Sequence, residues 1–186
     1  MKFSIQKKKL QKLLNEHSKV VPIRTTLPVL SCAEFSIQKN ELKIKTTDLD
    51  QTIISQTTIL DEKEGSVAIP MAKLVDIIGA LPDEEIRFST TEDNVVEINS
   101  KQGAYRISGK NAEDFPETNK PEKQDTITLS GKEYLQMVEK TAFAASKDDL
   151  KPALTGVLFK LESEYITTVA TDGHRLAKYV CKNETK

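Results

Sequence analysis

Residues 5–48 read IQKKKLQKLLNEHSKVVPIRTTLPVLSCAEFSIQKNELKIKTTD, and the pattern of this stretch recurs twice further along the chain. A shift of 124 positions aligns the pair Thr47-Asp48 with the pair Thr171-Asp172. A shift of 64 positions aligns Leu10 with Leu74 and gives a middle copy. Because the apolar pattern and the position of the helix agree in all three copies, the sequence predicts a protein built from one repeated unit.

Each copy is predicted to form a strand, a helix and three further strands. In the first copy, residues 2–6 are a predicted strand and residues 7–18 a predicted helix. Spacings of three and four place four side chains on one face of that helix: Leu10, Leu13, Leu14 and His17. Alternation of apolar and polar residues then predicts strands at 29–38, 41–47 and 52–60.

The later copies follow the same order of elements. The middle copy is predicted as strand 65–70, helix 71–81 and strands near 86–90, 95–99 and 104–108, with Pro82 ending the helix. The third copy is predicted as strand 126–130, helix 132–146 and strands 154–162, 165–171 and 175–181. The predicted fold class is therefore α+β, built from repeated βαβββ units.

The copies group into one complete and one incomplete domain. Residues 1–117 are predicted to form a domain of two paired units, residues 118–125 a linker, and residues 126–186 the first half of a second domain. The polar composition around the linker, with Pro116 and Pro121, is typical of a connection between domains. Half a domain leaves apolar surface and strand edges uncovered. The chain is therefore predicted to be a fragment or to need a partner that covers this surface.

Composition narrows the class of protein. Charged residues make up 30% of the chain and no apolar run approaches the length of a membrane span, so we expect a globular protein of the cytoplasm with no membrane partner. The residues after Met1 lack the hydrophobic region of a signal peptide. Cys32 and Cys181 lie far apart in predicted strands, and we expect two reduced core thiols.

Because the net charge is −1, the chain as a whole is not expected to attract nucleic acid strongly. Binding would need either a local cluster of cations or a binding mode that does not depend on adhesion. The solvent face of the first predicted helix carries Lys8, Lys12, Asn15 and Lys19. Such a run is often only a solvated face; the alternative is a stripe that attracts phosphates. The absence of Trp and the small number of Phe and Tyr residues argue against base stacking, so a DNA contact would be to the backbone.

Acidic residues and a histidine offer an alternative function. Asp48 and Asp50 follow a predicted strand, and Asp172 and His174 occupy the equivalent place in the third copy. Carboxylates and an imidazole could hold a metal, which would make the protein a metal-dependent hydrolase. The competing interpretation is that Asp48 and Asp172 close turns by accepting hydrogen bonds from backbone amides. The chain contains no Walker loop and no nucleophile elbow, and we predict no catalytic residue, metal or cofactor.

Residues 170–177 read ATDGHRLA. This string resembles the sequence found in the second domain of bacterial DNA sliding clamps, the beta subunits of DNA polymerase III. Further matches occur in the right order: MKF at 1–3, Arg24 followed by TLP at 26–28, TDLD at 47–50, LP at 81–82 and DFP at 114–116. The resemblance covers the whole chain, but only part of a full family member, which would have three domains.

The resemblance implies a DNA-clamp fold and a role without catalysis. Family members carry two βαβββ units per domain, with helices lining the hole of a ring and antiparallel sheets on the outside. Two chains join head to tail into that ring, so DNA is held by topology and a net charge near zero is compatible with binding. The implied function is that of a processivity factor on double-stranded DNA of any sequence. The implied partners are the catalytic subunit of DNA polymerase III, the clamp loader and other proteins with clamp-binding motifs.

The resemblance also implies three sets of site residues. Those expected to contact DNA are Arg24, Lys8, Lys12, Lys19, Lys147 and Lys151. Those expected in a groove for partner peptides are Leu154, Thr171, Gly173, His174, Arg175 and Leu176. Those expected at the interface of the dimeric ring are Lys73, Ile77, Tyr105 and Ile107. A protein-interaction module without a DNA role is the second alternative function.

Overall fold

The computed structural model of the chain describes residues 1–22, 24–117, 127–148 and 150–182. The chain divides into Met1–Lys120, here called unit 1, and Pro121–Lys186, here called unit 2. The predicted linker 118–125 lies outside the described residues. None of the helices in the described ranges is long and apolar enough to cross a membrane.

Unit 1 contains two βαβββ repeats in succession. The first repeat consists of β1 (Lys2–Gln6), α1 (Lys7–His17), β2 (Cys32–Gln38), β3 (Glu41–Thr47) and β4 (Thr52–Thr58). A short strand, β5 (Leu60–Lys63), leads to the second repeat. The second repeat consists of β6 (Gly65–Pro70), α2 (Met71–Ala80), β7 (Glu85–Thr90), β8 (Val95–Ser100) and β9 (Gly103–Ser108). The predicted order of elements is thus confirmed in both copies.

The two repeats of unit 1 exchange their first strands. One antiparallel sheet has the order β5-β1-β7-β8-β9 and the other the order β4-β3-β2-β6. β1 therefore pairs with the second repeat, with Phe3 opposite Phe88. β6 pairs with the first repeat, with Val67 opposite Phe35. Each sheet is completed by a strand from the other repeat, so backbone hydrogen bonds join the repeats into one unit.

The core of unit 1 is built by side chains from both sheets and both helices. The rings of Phe3 and Phe88 stack with centroids 4.7 Å apart, and the ring of Phe35 lies 6.5 Å from that of Phe3. α1 and α2 pack against each other and contribute apolar side chains to the same cluster: Leu10, Leu14, Leu74 and Ile78. Burying each of these side chains stabilises the fold by about 1.5–3 kcal/mol.

Element ends in unit 1 differ from the predictions where a proline or a change of sheet intervenes. β2 begins at Cys32, later than predicted, because Pro28 starts a short 3₁₀ turn. The predicted strand 52–60 is divided at Ile59, since β4 pairs with β3 whereas β5 pairs with β1. α2 ends before Leu81, whose extended backbone is the conformation preferred before a proline.

Unit 2 contains one repeat, and its predicted first strand is absent from the described residues. α3 (Gly131–Glu139) is followed by an antiparallel sheet of β10 (Leu158–Leu161), β11 (Tyr165–Thr171) and β12 (Leu176–Lys182). Residues 127–130 form no strand, so the prediction of a strand at 126–130 is wrong over the part that the structure describes. In unit 1 the equivalent strand, β1, pairs with β7 of the other repeat. The described part of unit 2 offers no such second meander.

α3 is shorter than the predicted helix 132–146. A capping box fixes its start: the Ser130 hydroxyl accepts a hydrogen bond from the Glu133 backbone N–H, and the Glu133 carboxylate accepts one from the Ser130 N–H. Near its end, the Thr141 hydroxyl donates a 2.8 Å hydrogen bond to the Met137 carbonyl. A threonine bonded in this way competes with the helical pattern, and residues 142–144 continue only as a 3₁₀ turn.

β10 is shorter than the predicted strand 154–162 because, as at β2, a 3₁₀ turn that begins at a proline precedes the strand. Pro152–Leu154 form a 3₁₀ turn, and pairing with β11 begins at Leu158.

Both cysteines carry free thiols, as predicted. Cys32 is buried, and burial raises the pKa of its thiol. Cys181 is half-buried, with its sulfur 3.5 Å from the sulfur of Met137.

His17 lies on the buried face of α1, as its spacing predicts, and is 0% exposed. Its Nδ1 lies 2.7 Å from the hydroxyl oxygen of Thr46. Its Nε2 has no hydrogen-bond partner among the described residues. Burial lowers the pKa of His17 below its ordinary value, against a smaller opposing effect of the Glu16 carboxylate.

We predict that protonation of His17 destabilises unit 1. Its folded pKa lies below the unfolded value of about 6.5, so its contribution is complete above about pH 6.5 and is lost as the pH falls below that value. One such group gives a slope of at most about 1.4 kcal/mol per pH unit. Urea unfolding from about pH 7.5 to about pH 5 should therefore give a flatter pH dependence for His17→Gln than for the wild type.

The chain offers a matched control, because its only other histidine, His174, has an exposed side chain. His174→Gln should keep the wild-type pH dependence. The same dependence in His17→Gln and in the wild type would contradict the role given to His17.

Leu49 and Gly173 occupy the same place in two repeats, 124 positions apart, and both follow a Thr-Asp pair. Both have a positive φ, 84° at Leu49 and 91° at Gly173. A residue with a side chain is strained in this region, whereas glycine is not. Since the Leu49 side chain is 59% exposed, packing offsets little of that strain.

We predict opposite effects at these two positions. Leu49→Gly should stabilise unit 1 by up to about 1 kcal/mol, because the strain relieved exceeds the entropy cost of glycine. Gly173→Ala should destabilise unit 2 by about 1–2 kcal/mol, although its Cβ would meet no atom within 4 Å. Gly79→Ala, in open space within α2, is the control and should gain about 0.5–1 kcal/mol. Denaturant unfolding measures all three, and a stabilised Gly173→Ala would refute the strain argument.

Candidate functional site

A turn with one hydrogen-bond pattern follows β3 in unit 1 and β11 in unit 2. Asp48 Oδ1 accepts hydrogen bonds from the backbone N–H groups two and three residues ahead, at 3.0 and 2.6 Å. Asp172 Oδ1 accepts from the same two positions, both at 2.9 Å. The hydroxyls of Thr47 and Thr171 each donate to the carbonyl four residues ahead, at 2.8 and 2.7 Å. Asp48 and Asp172 are therefore turn-closing residues.

The carboxylates of these turns are occupied by backbone donors rather than arranged around a metal. Hydrogen bonds from the backbone N–H groups of Arg175 and His174 lower the pKa of Asp172 to about 2. The Arg175 guanidinium adds an ion pair at 3.0 Å. Within the described ranges, no group of three His, Cys, Asp or Glu side chains is placed to hold a metal ion. Asp48, Asp50, Asp172 and His174 thus do not form the site that the hydrolase interpretation needs.

An apolar cleft lies beside the Thr171 turn of unit 2. Its volume is about 330 Å³, and it is lined by Pro152, Ala153, Leu154, Gly156, Val157, Leu158, Val169, Ala170 and Thr171. Two residues of the predicted peptide groove, Leu154 and Thr171, line this cleft. The other four belong to the adjoining turn and the start of β12 and are exposed: Gly173, His174, Arg175 and Leu176. Leu158 and Leu176 are 63% and 65% exposed, so apolar surface extends beyond the cleft.

The equivalent surface of unit 1 is filled by the chain itself. The counterparts of the cleft residues, 124 positions earlier, are residues 28–30, 32–34 and 45–47. Phe115, 5% exposed, packs there with Val29 and Cys32. The Lys45 ammonium lies 4.9 Å from the centroid of the Phe115 ring and donates a 2.9 Å hydrogen bond to the Pro116 carbonyl. In unit 1 the Phe115 ring, fixed by the hydrogen bond between Lys45 and the Pro116 carbonyl, thus fills the surface that corresponds to the cleft of unit 2.

Substitutions between the repeats explain why the cleft of unit 2 is apolar. In unit 1, Glu34 and Lys45 form an ion pair at 2.8 Å with both side chains largely covered. Their counterparts in unit 2 are Leu158 and Val169, and the counterpart of Cys32 is Gly156. A concave surface without charges suits the apolar anchors of an extended peptide. Sequence reasoning found the DFP string but missed the docking of Phe115, because that contact is formed only by the tertiary fold.

The residues predicted to contact DNA fall into two sets. In unit 1, Lys12 is exposed on the solvent side of α1, and Lys19 is exposed in the turn that follows the helix. Lys8 is also exposed, but its ammonium lies 2.7 Å from the Asp83 carboxylate. The hydrogen bond that it donates to Asp83 raises the pKa of Lys8. Sequence reasoning missed Asp83, which follows α2 and neutralises part of the charge on this stripe.

The remaining cations lie in loops. Arg24 is exposed and lines a cleft of about 520 Å³, together with Leu27 and Leu49, between the segment after α1 and the Thr47 turn. In unit 2, Lys147 and Lys151 are exposed in the loop after α3. Their side chains are thus presented to solvent, as a contact with phosphates requires.

The residues predicted for the ring interface are not all on the surface. Ile107 is 2% exposed and belongs to the core of unit 1, so it presents no side chain to a partner and this part of the prediction is wrong. Alternation along β9 turns its side chain inward. Ile77 and Tyr105 are half-buried against the same core, and Lys73 is exposed on α2. Because α2 packs beside β9, these three remain candidates for one surface.

Comparison with known proteins gives matches along nearly the whole chain. Residues 1–119 match the profile of the DNA polymerase III beta subunit, N-terminal domain, and residues 128–186 match its central domain. The beta sliding clamp of Vibrio cholerae is 32% identical over 95% of this chain and 49% of that protein. One from Staphylococcus epidermidis is 33% identical over 95% of this chain and 49% of its own length. The chain thus spans about half the length of the curated relatives it matches.

Solved structures agree with these matches. The DNA polymerase III subunit beta of Pseudomonas aeruginosa gives a TM-score of 0.90 at 29% identity, covering 97% of this chain and 50% of that one. The sliding clamp of Bacillus subtilis gives a TM-score of 0.92 at 26% identity, covering 99% and 50%. The predicted α+β DNA-clamp fold is therefore confirmed. With both domain profiles matched in order, the chain belongs to the DNA polymerase III beta subunit family.

Proposed function

We propose that this chain supplies part of a DNA sliding clamp, a non-catalytic processivity factor that encircles double-stranded DNA and tethers the replicative polymerase. The observation that carries the proposal is the consecutive match to two clamp domains, with the same fold, over residues 1–119 and 128–186. The proposed partners are the catalytic subunit of DNA polymerase III, the clamp loader and other proteins with clamp-binding motifs. The proposed assembly is a head-to-tail dimeric ring in the cytoplasm.

The proposed DNA contact is made by cations on α1 and in the adjoining loop. Lys12, Lys19 and Arg24 are exposed, long and flexible, so they can reach phosphates without fixing a base sequence. Lys147 and Lys151 are the proposed contacts of unit 2, with the same exposure. Lys8 contributes less, because Asp83 competes with phosphate for its ammonium.

The proposed peptide groove combines the cleft of unit 2 with the Thr171 turn. Leu154, Leu158 and Leu176 offer apolar contacts, while the turn residues His174 and Arg175 lie beside them. The hydrogen bonds of Asp172 hold the turn in one conformation, which lowers the entropy cost of binding. In unit 1 the equivalent surface holds Phe115, which supports an apolar or aromatic side chain as the anchor.

A protein-interaction module without a DNA role is the competing candidate. The observation that favours it is the pairing of Lys8 with Asp83, together with a net charge of −1. The two proposals differ in whether the α1 stripe binds duplex DNA at all, and DNA-binding measurements separate them.

For DNA, we predict weak binding of a labelled duplex by the 186-residue chain, independent of sequence and falling steeply between about 50 and 200 mM salt. Lys12→Glu and Arg24→Glu should each weaken binding roughly three- to tenfold and flatten the log–log salt dependence by about one unit. Asp83→Asn should strengthen binding, because it releases the Lys8 ammonium. Fluorescence anisotropy measures each of these effects.

Lys43→Glu is the matched control for the α1 variants. Lys43 lies between the buried Leu42 and Ile44 of β3, so its side chain points to the sheet face opposite the helices. The same change of charge there should leave the affinity within a factor of about two. Equal losses in Lys43→Glu and Lys12→Glu, or no salt-dependent binding by the wild type, would favour the interaction module.

For the peptide groove, we predict that griselimycin binds unit 2 at the cleft beside the Thr171 turn. The affinity should be lower than that of a full-length relative, because the chain spans only about half the length of its relatives. Griselimycin is bound in crystal structures of the sliding clamps of Pseudomonas aeruginosa and Bartonella birtlesii. Leu176→Ala should weaken binding about tenfold, by removing an apolar contact. Titration calorimetry gives the affinity, and methyl shifts of Leu154 and Leu158 report the place.

Leu135→Ala provides the control, since Leu135 is 55% exposed on α3, away from the cleft lining. It should bind griselimycin as the wild type does. Equal losses in Leu135→Ala and Leu176→Ala, or shifts confined to α3, would place the binding surface elsewhere.

A further inference from the structure

A second cleft of unit 2 consists of positions that form the core of unit 1. This cleft of about 540 Å³ is lined by Ile127, Leu129, Gly131, Tyr134, Phe159 and Leu161. The counterparts of its five large side chains, 124 positions earlier, are Phe3, Ile5, Leu10, Phe35 and Ile37, and all five are at most 5% exposed. In unit 2, Ile127 and Leu161 are each 48% exposed, and Tyr134 is 53% exposed. A buried core in one unit thus corresponds to an open surface in the other.

In unit 1 this surface is covered through the exchange of first strands. β7 pairs with β1, and β6 pairs with the edge of β2. In unit 2 neither pairing is made within the described ranges: β10 pairs with β11 alone, and residues 127–130 form no strand. Unit 2 therefore carries both an unpaired segment and an unpaired strand edge beside its exposed apolar side chains.

We propose that two copies of the 186-residue chain associate through unit 2 and exchange residues 127–130. Each copy then adds the segment 127–130 to the β10 edge of the other. Because every copy offers both the segment and the edge, the contact is two-fold symmetric and closes with two copies. It reproduces between chains the pairing that unit 1 makes between its two repeats, and it buries the second cleft of both copies.

Unit 1 also specifies the register of the exchange. There, Val67 lies opposite Phe35 and Ala68 opposite Glu34. In the alignment of the repeats, Val67 and Ala68 correspond to Ile127 and Thr128, while Phe35 and Glu34 correspond to Phe159 and Leu158. Ile127 of one copy therefore lies opposite Phe159 of the other, and Thr128 lies opposite Leu158. The first pair points into the shared core, and the second lies on the other face of the sheet.

The proposal concerns the 186-residue chain and is independent of the proposed clamp function. A longer chain with a further βαβββ repeat after unit 2 could cover the same surface from within, so the test uses the 186-residue chain itself. DNA and peptide binding can succeed or fail whether or not two copies associate.

The first test is the mass in solution, by sedimentation equilibrium. The wild type should have twice the chain mass of 20.8 kDa. Ile127→Asp should weaken association at least about tenfold, because it buries an unpaired charge at a position whose counterpart, Phe3, is 1% exposed. Since Ile127 is 48% exposed in the single chain, the variant should fold with an unchanged circular dichroism spectrum.

Val180→Asp is the matched control for exposure and for charge. Val180 is 47% exposed on β12, next to the inward-facing Cys181 and hence on the opposite face of the sheet. Its counterpart in unit 1 is the exposed Gln56, so a polar residue is tolerated at this place. Val180→Asp should associate as the wild type does.

The second test is the register, by disulfide cross-linking in a Cys181→Ala background. A mixture of Thr128→Cys and Leu158→Cys chains should form a disulfide between unlike chains, because these residues lie opposite each other. Neither variant alone should cross-link. Lys160→Cys, two residues further along the same face of β10, should replace Leu158→Cys poorly. A monomeric wild type, association unaffected by Ile127→Asp, or equal cross-linking through Lys160→Cys would overturn the proposal.

Discussion

The exchange of first strands between repeats is the constraint on which the structure depends. In unit 1, β1 completes the sheet of the second repeat and β6 completes that of the first. A repeat by itself leaves one strand and one edge unpaired, and the side chains between them lie open to water. Only when two repeats meet do Phe3, Phe35 and Phe88 come together in a dry core. Unit 2 forms its helix and meander, yet Ile127, the counterpart of Phe3, lies half exposed. One repeat therefore provides only half of a hydrophobic core, and that half is buried only when a second repeat packs against it.

The outer side of the sheet is free of this constraint, and there the repeats differ. The Thr-Asp turn is the same in both units, down to its hydrogen bonds. With a pKa of about 2, Asp172 stays ionised at neutral pH, so the turn keeps the acceptor that its backbone donors need. Beside this constant turn, three substitutions remove a thiol and an ion pair from the surface that holds Phe115 in unit 1. The backbone thus provides a fixed site, and the side chains decide whether the chain fills it or leaves it to a partner.

Sequence reasoning predicted most of what depends on local pattern. The bounds of β1, β3, β6 and β11 were predicted to the residue, because alternation and turn residues determine them locally. The strand predicted at 126–130 is wrong over the described residues 127–130, because a strand forms only with a pairing partner, and alternation along the sequence does not reveal that partner. The Lys8–Asp83 contact and the burial of Phe115 join positions far apart in sequence, so spacing could not reveal them. The inward side chain of Ile107 was foreseeable from alternation along β9, whereas the resemblance alone placed it at an interface.

A weak hold on DNA is what the proposed clamp needs from its inner surface. Every phosphate contact that stabilises one position on the duplex must break before the protein moves to the next, so tight adhesion would oppose sliding. The stripe along α1 and the turn after it carries few cations, namely Lys8, Lys12 and Lys19, and the Lys8 ammonium already lies 2.7 Å from the Asp83 carboxylate. The net charge of −1 adds no general attraction. Such a surface would make a poor DNA-binding protein if affinity alone kept it on DNA. In a closed ring, topology retains the DNA, and the lining needs only contacts loose enough to be exchanged at each step.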